Sequence, residues 1–149
     1  MALGTIFDIA GTGMNAQSLR LNTTASNLAN AQSASSSVNE VYRSRQPVFA
    51  AIHQDAMRAA VTEGTYSDNE VDAAAGVRVL GIVESDAPLQ RRYEPSHPKA
   101  DEDGYVFYPN VNPVEEMANM IAASRSFQMN VEVMNSAKQM VQRVLTLGQ

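Results

Sequence analysis

The chain has 149 residues, a 44% hydrophobic share, a net charge of -5 and no cysteine. That size holds one ordinary domain or two small layers, and the composition is globular, not disordered. The acidity removes the electrostatic footprint of nucleic-acid binding, and the missing thiol removes disulfides, thiolate metal sites and a Cys nucleophile. No window reaches the ~18–20 consecutive apolar residues of a membrane span.

The first predicted element is a helix. Phe7, Ala10, Met14, Gln17, Leu21, Thr24, Leu28 and Ala31 step by three and four, which keeps them on one face. Thr5 with Asp8 three residues on is a start signal. Gly11 and Gly13 each weaken the helix by roughly 1 kcal/mol relative to Ala. The opposite face carries Asn15, Ser18, Asn22 and Ser26, and between Ile6 and Asn30 only Asp8 and Arg20 are charged. Uncharged polar groups bury at far lower cost than ions when they find hydrogen-bond partners. The start, Met1 to Phe7, has no basic region and no long apolar run, so no cleaved secretory signal is expected. Taken alone, that points to the cytoplasm.

A small-residue linker, Ala31 to Ser37, follows. Val41 to Ile52 is β-rich, with Pro47 marking an edge strand or a break. Thr62 to Gly76 is polar and predicts a loop or projecting hairpin, and Val77 to Val83 reads as a strand. Pro88, Pro95 and Pro98 punctuate an extended stretch; Asp103-Gly104 is a turn signal before a short strand, Tyr105 to Tyr108. Asn112 as cap, Pro113 in the first turn and Glu115 closing the box predict a helix running to about Leu147, with Gly148 as its stop. Its stripe is Met117, Met120, Ser124, Phe127, Val131, Met134, Lys138, Val141 and Leu145. A second apolar set, Ile121, Val133, Ala137, Met140, Val144 and Leu147, exceeds what one hairpin partner covers and suggests contacts with neighbouring subunits.

The expected fold is therefore mainly α with a small β module. Long terminal helices pair in coiled-coil fashion, with a short β-rich segment inserted between them. The divisions are an N-terminal helix over 1–32, a linker and β-rich module over 33–110, and a C-terminal helix over 111–149, the two helices forming one helical core domain. Candidate packing residues, within or between subunits, are Phe7, Met14, Leu21 and Leu28 with Met117, Met120, Phe127, Val131, Met134, Val141 and Leu145.

The sequence offers little chemistry. His53 and His97 are the only imidazoles, and no HExxH, GxSxG, GxGxxG or Walker-type loop occurs. Asp101 to Gly104 superficially suggests calcium, but an EF-hand loop opened at Asp101 would place Val106 and Asn112 where Gly and Glu are needed. Methionines on the last helix read as packing, and Arg91-Arg92 as a solvated edge. Neither an enzymatic activity nor a metal or cofactor is expected.

Specific runs go further. Phe7-Asp8-Ile9-Ala10-Gly11, Met14-Asn15-Ala16-Gln17 and the run Leu21 to Asn30, ending in Asn27-Leu28-Ala29-Asn30, resemble the first helix of flagellar axial proteins. Tyr42 to Gln46, Tyr93-Glu94-Pro95, Gly104-Tyr105-Val106, Pro109-Asn110-Val111 and Glu115-Glu116-Met117 continue the likeness. Ser124 to Gln128, Asn130 to Val133 and Thr146 to Gln149 resemble the FlgC family of rod proteins in particular. The chain departs from the family pattern in its Ser/Ala-rich stretch up to Val41 and over Thr62 to Gly76.

The resemblance implies a structural subunit of the proximal rod of the bacterial flagellar basal body, polymerising through its terminal helices. It implies exit through the flagellar type III export apparatus without signal cleavage, and assembly in the periplasm, which replaces the cytoplasmic reading. The implied partners are further copies, other proximal and distal rod proteins and the export-gate base, with no nucleic acid and no membrane insertion. Asn27, Leu28, Ala29 and Asn30 are the family signature, and Leu3, Ile6 and Phe7 a candidate export signal. The alternative reading is a soluble helical-hairpin adaptor or export chaperone.

Overall fold

The structure, a computed structural model, describes residues 2–53 and 74–147. The part of the Thr62–Gly76 stretch before residue 74 and the expected stop at Gly148 lie outside the described residues. In chain order the elements are helix α1 (Ala2–Asn30), strands β1 (Arg45–His53), β2 (Ala74–Glu84), β3 (Gln90–Tyr93) and β4 (Tyr105–Tyr108), and helix α2 (Pro113–Leu147). The strands form two two-stranded sheets, β1 with β2 and β3 with β4. Two long helices with a small β module between them in sequence match the expected class.

Helix α1 begins at Ala2, so Thr5 lies inside it instead of capping it. Ala and Leu at positions 2 and 3 are good helix formers and extend the helix past the polar start signal. Farther along, Thr23 and Thr24 are buried, and each donates its hydroxyl to the carbonyl four residues back, Leu19 and Arg20, at 2.8 Å. This back-bonding satisfies a polar side chain without a tertiary partner. Helix α2 starts as its sequence predicts. Asn112 Oδ1 accepts from the Val114 N–H at 3.1 Å, and the Asn112 carbonyl accepts from the Glu116 N–H at 3.0 Å.

Strand β3 was not legible beyond an extended stretch, because Gln90-Arg91-Arg92-Tyr93 shows no apolar alternation. It pairs antiparallel with β4, Gln90 facing Tyr108 and Tyr93 facing Tyr105. On the other side of β4, Ser35 bridges Phe107 through both backbone bonds, at 3.0 and 3.1 Å. The linker after α1 is thus tied to the β module.

The chain divides into two compact units, Met1–Ser18 with Phe49–Leu80 and Arg125–Gln149, and Leu19–Val48 with Gly81–Ser124. In the first, Ala10, Ala16 and Ala137 are buried, and two glycines allow close approach. A Cβ on Gly13 would stand 2.9 Å from Asn130 Nδ2 of α2. Gly76, at φ +144°, sits where a Cβ would be 2.5 Å from Thr12 Oγ1, which accepts from the Val77 N–H at 3.2 Å. In the second unit Val41, Val106, Val111 and Ala123 form the apolar core.

Candidate assembly surface

The most connected buried group is the amide of Asn27, 1% exposed. Its Nδ2 donates to the Arg45 carbonyl at 2.8 Å and to Glu116 Oε1 at 3.1 Å. Its Oδ1 accepts from the Arg45 N–H at 2.9 Å and from the Tyr42 hydroxyl at 2.8 Å. One side chain therefore joins α1 to the start of β1 and to the first turn of α2. Arg20 Nη2 donates to Asn119 Oδ1 at 3.0 Å, two turns earlier on α1 and one turn later on α2. Within this unit the two helices thus run antiparallel.

Glu116 is buried. Burial pushes its carboxyl above the usual range, and neighbouring Glu115 adds to that; hydrogen bonds from Asn27 and Ser44 and the Arg20 charge pull it back. A second amide extends the clamp. Asn110 Oδ1 accepts from the Ser44 N–H at 2.8 Å, and its Nδ2 donates to the carbonyls of Ser85 at 3.1 Å and Ala87 at 2.9 Å. Arg45 closes the surface with an exposed ion pair to Glu84 at 2.9 Å. Such a pair contributes about 0–1 kcal/mol, far less than the buried amides.

The candidate packing residues are placed as follows. Phe7, Met14, Leu21, Leu28, Met120, Phe127, Val131, Met134 and Val141 are half-buried in the isolated chain, whereas Met117 and Leu145 are exposed. At the start of α2 the inward register is Glu116, Met120 and Ala123, so Met117 is turned out. Of the signature, Asn27 is buried, Leu28 and Asn30 are half-buried and Ala29 is exposed. Ile6 of the candidate export signal is half-buried, as is Phe7; the side chain of Leu3 lies outside the described residues.

Away from its packed side, α2 exposes Val114, Ile121, Met129, Val133, Met140 and Val144. On α1, Asn15, Ser18, Asn22, Ala25 and Ala29 are exposed and carry no charge. A free helix normally carries charge on its wet face. The arrangement suits surface coverage: long helices, an α1 face uncharged from Asn15 to Ala29, an α2 surface whose exposed apolar residues stand among Arg125, Glu132, Lys138 and Arg143, and an inner clamp that fixes their pairing. Among the described residues no three of His, Cys, Asp and Glu come together to hold a metal ion, and Asp101 turns its Oδ1 onto the N–H groups of Asp103 and Tyr105, at 3.1 and 2.7 Å.

Comparison with known proteins decides the family. Residues 7–32 match the family described as Flagella basal body rod protein, and residues 102–147 match Flagellar basal body rod FlgEFG protein C-terminal. The FlgC flagellar basal-body rod protein of Salmonella typhimurium is 47% identical over 154 residues, covering 100% of both chains. That of Escherichia coli O157:H7 is 48% identical over 149 residues, again 100% of both. That of Borreliella burgdorferi is 36% identical over 153 residues, covering 100% of this chain and 99% of its own. The chain belongs to the FlgC family of flagellar basal-body rod proteins.

Within this FlgC-family chain, the clamp joins the two matched regions, since Asn27 lies in one and Glu116 in the other. Sequence reading identified Asn27 as signature and Tyr42, Ser44, Asn110 and Glu116 only as parts of resembling runs, with no role. A signal for Glu116 was present: it lies four residues before Met120 and therefore on the same helix face.

Proposed function

We propose that the chain is a structural subunit of the proximal rod of the bacterial flagellar basal body, built into the shaft through its terminal helices. The observation that carries this reading is the exposed face of α2, with Met129, Val133, Met140 and Val144 uncovered on a long helix, together with an α1 whose exposed residues from Asn15 to Ala29 carry no charge. In the assembled rod, α1 and α2 form one helical core with coiled-coil-like seams, and the outer faces meet further copies and other proximal and distal rod proteins. The subunit leaves the cytoplasm through the flagellar type III apparatus without cleavage, with Leu3, Ile6 and Phe7 as its export cluster, and assembles in the periplasm against the base. Rigid helices bound at both faces suit torque transmission, and no enzymatic chemistry is required of the chain.

Electron microscopy of basal bodies isolated from cells carrying this protein tests the reading. The expected result is density for α1 and α2 in the rod next to the membrane-embedded base, with the α2 outer face covered. A rod that is complete without this chain would overturn it.

A further inference from the structure

Among the described residues strand β3 has one edge without a backbone partner, and the hydrogen-bond register shows which groups it offers. The backbone N–H and C=O of Phe107 bond to Ser35, and those of Tyr105 are engaged by Asp101, so both residues of β4 turn their backbone groups away from β3. In an antiparallel ladder the pairs then alternate, leaving Val106–Arg92 and Tyr108–Gln90 as the bonded pairs. Arg91 and Tyr93 consequently point their N–H and C=O outward, on the side of β3 away from β4. All four residues of β3 are exposed. Pro88 and Pro95 bracket the strand and limit any added strand to its length.

The side chains around that edge are preorganised. Arg91, Tyr93, Tyr105 and Phe107 share one face. The Arg91 guanidinium lies 3.6 Å from the Tyr105 ring centroid, and Tyr93 meets Tyr105 edge-on at 5.2 Å. On the other face Arg92 stacks on Tyr108 at 4.7 Å. Among the described residues neither arginine has a carboxylate within ion-pair distance, although the chain as a whole is acidic. Exposed arginines stacked on half-buried tyrosine rings match the Arg and Tyr enrichment of protein interfaces.

We propose that the β3 edge is a docking site for a short acidic extended segment of a neighbouring protein, added as a strand against Arg91 and Tyr93 with carboxylates facing Arg91 and Arg92. Backbone pairing supplies the register and the two arginines supply the charge preference. The acidic run Asp101 to Asp103 of a second copy does not supply this strand, because it is held in a turn by the Asp101 side chain and by Gly104 at φ +80°. The inference uses the rod reading only to say where the neighbour is sought.

The test is photo-crosslinking in the assembled rod, with p-benzoylphenylalanine replacing Gln90 in full-length protein as the cell's only copy. Basal bodies are isolated and the adduct is read by mass spectrometry, per copy of this chain present. The expected adduct is a segment of a different protein carrying at least a pair of Asp or Glu residues. Two comparisons isolate the mechanism. Arg91→Glu with Arg92→Glu lowers the yield about tenfold by like-charge repulsion. Tyr93→Pro removes an outward N–H without touching a bonded pair of the ladder, and lowers the yield about tenfold where Tyr93→Ala does not. Loss of incorporation of an exported, folded variant counts as loss of yield. Several outcomes overturn the proposal while leaving the rod reading intact: a rod that contains the chain but gives no adduct, an adduct on a neutral or basic segment, on glycan or on a second copy, or equal effects of Tyr93→Pro and Tyr93→Ala. Absence of the chain from the rod would instead overturn the function.

Discussion

Asn27 of α1 and Glu116 of α2 are joined at 3.1 Å, although 89 residues separate them, and the same amide holds both backbone groups of Arg45. A helix-to-helix contact and a helix-to-strand contact are therefore set by one side chain. An Asn can do this because it is donor and acceptor at once, with a reach too short to tolerate slippage. The pairing of the helices and the exit angle of the chain into β1 are coupled at this point.

Replacing Asn27 by Ala strands the Arg45 N–H and carbonyl, while the Tyr42 hydroxyl keeps Ser26 at 3.3 Å and the Glu116 carboxylate keeps Ser44. Each such group left unpaired costs about 1–3 kcal/mol, and partial access of water reduces the sum. The expected loss for Asn27→Ala is roughly 2–4 kcal/mol, read by urea denaturation of the free subunit. Asn27→Asp keeps the acceptor but places a second carboxylate against Glu116. It is expected to destabilise more at neutral than at acidic pH; equal loss at both would remove Glu116 from the clamp.

Glu116 gives the clamp a pH dependence of definite sign. Burial raises its folded-state pKa above that of the unfolded chain, with Glu115 in the same direction and Asn27, Arg20 and Ser44 opposing. The folded state then binds the proton more tightly, so the stability from this group is fully present below the ordinary carboxyl range and is lost as pH rises through the folded pKa. Glu116→Gln removes the titration. The stability of the unaltered protein relative to Glu116→Gln is expected to fall between about pH 4 and pH 7, measured by thermal melts in matched buffers. A difference that grows over that window would reverse the assignment.

The helices and the strand Tyr105 to Tyr108 were legible because each carries a local signal: three-four spacing, the Asn112–Pro113 start and the Asp103–Gly104 turn. Strand β3 was not, since its side chains serve stacking and exposure instead of alternation. The clamp was half legible. Asn27 stood out within a resembling run, but its partners lie on two other segments, Tyr42 to Arg45 and Glu116, and no periodicity connects residues 27, 45 and 116. Glu116 shows the same limit, because one residue of helical register decides which side chain at the start of α2 faces the Asn27 amide, and the buried hydrogen bond selects Glu116.

The glycines of the first unit rank by what surrounds them. Gly11 has open space, so Gly11→Ala is expected to stabilise by about 1 kcal/mol, a rise of roughly 2–4 °C in Tm. Gly13→Ala gains the same propensity but must displace the Asn130 amide, 2.9 Å from the new methyl, and should come out near neutral. Gly76→Ala meets both a positive φ and Thr12 Oγ1 at 2.5 Å, and is expected to lose roughly 1–3 kcal/mol. Differential scanning calorimetry of the three variants checks the order. Gly13→Ala losing as much as Gly76→Ala would show that the helices cannot give at that crossing.

Leu28 and Phe127 test the helix seams. Both are half-buried in the isolated chain, so each has packing still to gain in an assembly. Truncating a side chain that becomes fully buried costs ~2–5 kcal/mol. Leu28→Ala and Phe127→Ala are expected to reduce rod incorporation and swimming while export continues, scored by immunoblot of the exported fraction beside motility in soft agar. Normal incorporation of both variants would remove these residues from the packing set.

The export cluster is the sharpest separation of two roles in one place. Ile6 and Phe7 are half-buried on α1, which fits the beginning of the packing stripe, and with Leu3 they also form an apolar group at the N-terminal end of the helix. An export apparatus reads a segment before it is folded, whereas packing matters only after arrival, so the two roles act at successive steps. Replacing Leu3, Ile6 and Phe7 together by Ser removes the apolar group while leaving the polar helix surface unchanged. If the cluster is read during export, the altered subunit stays in the cytoplasm and none reaches the periplasm. If it serves only packing, the altered subunit is found in the periplasm and is missing from the rod. Fractionation with a periplasmic marker separates these outcomes, and the second would end the export assignment while leaving the packing assignment in place.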